Sequence, residues 1–174
     1  VLALLFVAGF TLSAPAAAQA DPAVSALPQS FLECVSSFHE RLKAPGASPV
    51  APFDCTSAYF ETVPGSAGNT AEMVAAFNEA LDVADRYIDE VLAPEITELL
   101  ASQNEDGSPD FSREFMLRNV IRAGRLYGSA LCELHYDLFS GGTIRSIVAG
   151  SCGISSRDRL IDDLTRLHDQ ISAD

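Results

Sequence analysis

The sequence is short of basic residues: 11 Lys and Arg stand against 24 Asp and Glu in 174 residues, for a net charge of −13. All but Lys43 are arginine, and no basic block occurs. Nucleic acid and anionic membrane are therefore excluded as partner classes, because both need Lys and Arg to displace counterions. Long apolar runs are missing too. The longest is residues 1–12 (VLALLFVAGFTL), well below the roughly 20 residues a membrane-spanning helix requires. C-x-x-C and C-x-x-C-H are absent, which removes thioredoxin-type redox chemistry, paired-knuckle zinc sites and c-type haem. There is no G-x-S-x-G, H-E-x-x-H, phosphate loop or G-x-G-x-x-G, so none of the catalytic and nucleotide motifs with a local signature is present. Alternating apolar–polar strand pairs and internal repeats are also lacking.

What is present is a 48% hydrophobic chain with regular apolar spacing, enough for one domain with a sizeable core. The N-terminal apolar run leads into SAPAAAQA, where Ala18-Gln19-Ala20 has the small-residue pattern of a signal-peptidase site. The expected organisation is a signal peptide over 1–20 and a single helical domain over 21–174, in a periplasmic or secreted protein. An uncleaved membrane anchor is the alternative for the first segment. Four cysteines, Cys34, Cys55, Cys132 and Cys152, read as two disulfides in an oxidising compartment. The local pairing, Cys34–Cys55 with Cys132–Cys152, is preferred because each bond ties a helix to the segment after it. Each such loop of about twenty residues contributes roughly 3 kcal/mol on the chain-entropy model.

Periodicity predicts the rest. Phe31, Val35, Phe38 and Leu42 mark a helix over 28–43, with Pro28 in its first turn. A short helix follows Asp54 as N-cap, and Pro64-Gly65 ends it. Asn69 with Glu72 forms a capping box for a helix with the ridge Met73, Phe77, Ala80, Ala84, Tyr87, Val91, which Pro94 either kinks or restarts. After a turn at 104–109, a long helix is expected to 139. Its ridge is Leu117, Ile121, Gly124, Gly128, Leu131, His135, Leu138, with the two glycines admitting a close neighbour. Residues 143–149 are open between helix and strand, and Ser155 is the expected N-cap of a last helix bearing Leu160, Leu164, Leu167 and Ile171. The fold class is all-α: an irregular bundle of four or five helices stapled by two disulfides.

Candidate chemistry is sparse. Cys132 and His135, three apart on one helix, have the spacing of a thiolate–imidazole pair; a disulfide at Cys132 with a core histidine beside it is the alternative. As half of a zinc site they lack further ligands, since His39 and His168 fall on other helices. Met73 and His135 are the residue types of b-type haem ligation, but both sit on apolar ridges. Asp82, Asp85 and Asp89, with Glu90, form an acidic stripe, without the loop that calcium ligation needs. Arg118, Arg122 and Arg125 follow at steps of four and three. They are either anion contacts, by the planar guanidinium fork, or partners of the acidic stripe on an adjacent helix. No cofactor and no metal is expected. The favoured function is an exported, non-enzymatic envelope protein that binds a basic protein or envelope component through its acidic surface. The alternative is a small-ligand or metal-binding helical domain with a pocket near Gly124, Gly128 and His135, using Arg118, Arg122 or Arg125 for an anion.

Overall fold

The computed structural model describes residues 27–44, 52–104, 108–139 and 142–173, so the proposed signal peptide and the start of the mature chain lie outside the described residues. Within them every regular element is helical. The chain makes α1 (Gln29–Lys43), α2 (Cys55–Thr62), α3 (Thr70–Tyr87), a π-helical turn (Ile88–Leu92), α4 (Ala93–Ser102), α5 (Phe111–Leu138) and α6 (Ile144–Ala173). Because α3, the π turn and α4 run on without a break, the bundle has five rods.

Local chemistry sets most of these ends. Asn69 Oδ1 accepts the Ala71 and Glu72 amides at 3.0 and 3.2 Å, and Glu72 returns a bond to the Asn69 amide at 2.9 Å. The expected capping box is complete. Asp110 caps α5 by accepting the Arg113 amide at 3.0 Å. Pro94 restarts the α-helix, as one of the two expected outcomes had it, and α4 ends at Ser102 with Gln103 as its C-cap. The proline sits in the first turn of α4, directly after the π turn. Proline lacks an amide and its ring crowds the carbonyl four residues back, and the wider turn absorbs that mismatch without ending the rod.

Two expectations are corrected in the last third of the chain. Residues 144–149 are helical, and α6 runs through to Ala173 without interruption. Ser155 is therefore interior, and its hydroxyl donates back to the Ser151 carbonyl at 3.0 Å instead of capping. The α5 ridge also departs from the expected one. Leu117, Ile121, Gly128 and Cys132 are buried, whereas His135 and Leu138 are exposed. A ridge of strict seven-residue repeat turns about 20° per heptad around a straight helix, so by its last turns it has rotated off the line where α6 packs.

The core is aromatic where α1, α2 and α3 meet. Phe31 is fully buried and meets Phe53, Tyr59 and Tyr87 edge-on, while Phe60 stacks on Phe77 at 4.3 Å. Such pairs contribute about 0.5–1.5 kcal/mol each beyond the area they bury. α6 packs along α3 and α5 and also touches α2 and α4. Both disulfides have the local pairing: Cys34–Cys55 clips α1 to α2, and Cys132–Cys152 clips α5 to α6, with Cα separations of 5.6 and 5.4 Å. Gly124 and Gly128 admit α6, as a close neighbour requires. A Cβ at these positions would lie 2.8 Å from Leu160 Cδ1 and 2.9 Å from Ser156 Cβ.

Candidate functional site

Three groups of polar residues are built into this frame, and the first is structural. Asp54 stands at the N-cap of α2 but makes no side-chain hydrogen bond there. The amides of the second and third residues of α2, which an N-cap side chain ordinarily serves, go to Asp158 of α6. Its carboxylate accepts the Thr56 amide at 2.8 Å, the Ser57 amide at 3.3 Å and the Ser57 hydroxyl at 2.8 Å. Asp158 is only 5% exposed. Burial pushes its carboxyl up from the ordinary value, against the lowering effect of the Thr56 and Ser57 donors. One turn on, Asp162 accepts the Phe53 amide and is itself gripped by Arg166.

The second group is the expected meeting of the acidic stripe with the arginines, realised at one arginine of the three. Arg125 donates to Asp85 at 3.0 Å and to Asp89 at 3.1 Å. Arg157 of α6, outside the expected row, grips both oxygens of Asp85 at 2.7 and 3.3 Å. α5 lies chiefly against α6, and of its row only Arg125 reaches a carboxylate of the third rod. Arg118 pairs instead with Glu114 of its own helix. Arg122 is exposed and forms no ion pair among the described residues. Asp82 is exposed, and Glu90 pairs with Arg86.

The third is a groove between the second half of α5 and the first half of α6, of about 530 Å³. Leu131, Ile144, Ile147 and Val148 make it apolar, and His135 and Arg159 are its polar edges. A smaller recess of about 100 Å³ continues it past Gly124 and Gly128, again with Arg159 in its wall. Of the four residues singled out for ligand contact, only His135 lines this groove. Arg159, the cation that does line it, falls outside the arginine row by which sequence identified anion contacts. Cys132 is locked to Cys152, which removes the thiolate–imidazole reading, and His135 is an exposed groove residue, not a core histidine.

The other two histidines do come together, from α1 and α6. The His39 and His168 rings meet edge-on at 6.3 Å, and burial holds His39 below its ordinary value. Among the described residues the one trio of converging metal-ligand atoms is Cys34, Asp54 and Cys55. Its two sulfurs are bonded to each other, so they offer no thiolate. Tyr59 donates to Glu79 at 2.9 Å and is pushed up to about 12 by burial and that bond.

Two surface properties stand out. Charge is segregated along the chain: residues 27–104 carry twelve carboxylates and three cations, whereas residues 108–173 carry eight of each. Apolar exposure is segregated the other way. Phe111, Phe115, Met116, Val120, Leu126, Tyr127, Leu134 and Leu138, all of α5, are 53–74% exposed. Sequence held a signal for this second face, a 4-3-4-3-4-4 spacing from Met116 through Val120, Ala123, Tyr127, Ala130 and Leu134 to Leu138. It runs beside the buried ridge and is masked by it. No helix among the described residues is long and apolar enough to cross a membrane. The chain matches no protein-family model, and no curated protein or solved structure proved similar to it.

Proposed function

We propose that this chain is a non-enzymatic protein of the periplasm or the secreted fraction that binds a basic protein or envelope component through its acidic half. The observation that carries the reading is the charge segregation. Asp54 at the N-cap of α2, Glu61 on α2, Asp82 on α3 and Glu95 and Glu98 on α4 are exposed with no cation within 4 Å among the described residues. Exposed carboxylates left without a cation raise the local concentration of a cationic partner and steer its approach. The two disulfides support an oxidising compartment. A cationic hydrolase held by an inhibitor, or a basic subunit held by an accessory protein, has the required chemistry.

The test is binding to a panel of purified cationic envelope proteins at about 50 mM and about 300 mM salt, where screening differs strongly. The triple variant Asp82→Asn, Glu95→Gln, Glu98→Gln is run in parallel. The reading expects binding that weakens about tenfold or more with salt and again in the variant. Absence of binding across the panel at low salt, or binding indifferent to both changes, overturns it.

A second reading rests on the α5–α6 groove. Its apolar walls and the two nitrogenous side chains at its edge, His135 and Arg159, neither ion-paired among the described residues, suit a small amphiphile carrying an anionic group. A native mass spectrum of protein purified from the envelope, compared with a denaturing one, reveals such a ligand as an extra mass lost on unfolding. A bare native mass removes this reading.

A further inference from the structure

We propose that the exposed face of α5 is the interface of a two-fold homodimer in which α5 pairs antiparallel with α5 of a second copy. This surface is separate from the acidic one and its occupant is independent of that reading. An isologous interface must be its own complement, and the α5 stripe meets that condition about Tyr127. Val120 and Leu134 stand seven residues to either side of Tyr127, Met116 and Leu138 eleven, and Ala123 and Ala130 four and three. A two-fold axis beside Tyr127 therefore sets Val120 against Leu134 of the second copy and Met116 against its Leu138. The two tyrosines then sit among the four alanines. The alternating steps of four and three are those of a helix–helix seam.

Charge selects the same occupant. Copies at −13 repel, so self-association needs a face without excess charge, and α5 and α6 belong to the balanced half. The stripe supplies five large side chains, Met116, Val120, Tyr127, Leu134 and Leu138, each more than half exposed. At on the order of 100 Å² apiece they offer about 1,000 Å² over the two copies before the alanines are added, the lower limit of a specific interface.

The experiment is sedimentation of the 174-residue chain, and of the form beginning at Asp21, at about 50 μM, a concentration that populates any dimer of micromolar affinity. A dimer is expected in both. Val120→Glu with Leu134→Glu should weaken it at least a hundredfold while leaving the circular dichroism and melting temperature unchanged, since both positions are exposed in the monomer. Direction is read by cross-linking: Val120→Cys and Leu134→Cys should each resist oxidation to a linked dimer alone and form one when mixed. Four results would overturn the proposal: a monomer at that concentration, a dimer indifferent to the glutamates, self-linking of Val120→Cys, or a dimer seen only in the longer form. The last would assign the face to the N-terminal apolar run.

Discussion

Asp158→Ala should be among the most damaging single polar substitutions in the described residues. The carboxylate is 5% exposed and is the acceptor for the Thr56 and Ser57 amides and the Ser57 hydroxyl. Hydrogen bonds to a charged group are worth about 1.5–3 kcal/mol each, and orphaned buried donors cost about 1–3 kcal/mol. Recovery of the desolvation of a buried carboxylate offsets part of this, leaving a net loss of about 3 kcal/mol. Asp158→Asn retains one acceptor oxygen and should lose roughly half of that, while Ser57→Ala loses one bond, about 1.5 kcal/mol. Urea unfolding with the disulfides intact measures all three. Hydrogen exchange localises the effect, since the Thr56 and Ser57 amides should lose protection before those of α3. The acid dependence follows from the raised carboxyl. Between the unfolded value of about 3.9 and the higher folded one, the native state keeps a proton the unfolded chain has released. The contribution of Asp158 to stability therefore falls as pH rises through that window and is level above it. A slope unchanged in Asp158→Asn, or a loss below about 1 kcal/mol in Asp158→Ala, would refute the assignment of this residue as the cap of α2.

Asp85→Ala strips the shared partner from Arg125 and Arg157, the latter 14% exposed, and should cost about 1–2 kcal/mol, whereas Asp82→Ala on the open side of α3 should stay within about 0.5 kcal/mol; thermal unfolding of the pair decides. Gly150→Ala would put a Cβ 2.3 Å from the ring of Phe77, which is stacked on Phe60 and cannot retreat. Overpacking of about 1–3 kcal/mol should outweigh the roughly 1 kcal/mol gain in helix propensity, while Gly124→Ala, facing only the end of Leu160, should be close to neutral by the same assay. His39 is held below its ordinary value by burial, so the unfolded chain binds a proton first and stability should fall as pH drops from about 6.5 toward the folded value. His39→Gln should flatten that fall in denaturant titrations run across the range.

The helical class, the rods and the disulfide pairing were legible because each rests on short-range rules. Phe31, Val35 and Phe38 recur at helical spacing, Asn69 and Glu72 close a box within one turn, and twenty-residue loops favour local cysteine pairs. Residues 143–149 were not legible. Seven residues between glycines carry too little periodicity to separate helix from strand, and only their continuity with α6 decides. The arginine row was half legible. Spacing places Arg118, Arg122 and Arg125 on one side of α5, yet the neighbour that side meets is set by α6 lying against α5.

Sequence by itself determined the composition of the surfaces: an acidic first half, a balanced second half and a long helix carrying two apolar stripes at once. Only the tertiary structure decided which stripe is buried. Both have helical spacing and similar hydrophobicity, and a helix has no means of choosing between them alone. The choice falls to α6, which fits against Gly124 and Gly128, where the missing Cβ atoms let Leu160 and Ser156 approach, and leaves the Tyr127 stripe to solvent. The same packing carries Asp158 more than a hundred residues along the chain to the end of α2. No local pattern encodes that contact, because the energy of a buried hydrogen bond depends on which donors the fold leaves unpaired.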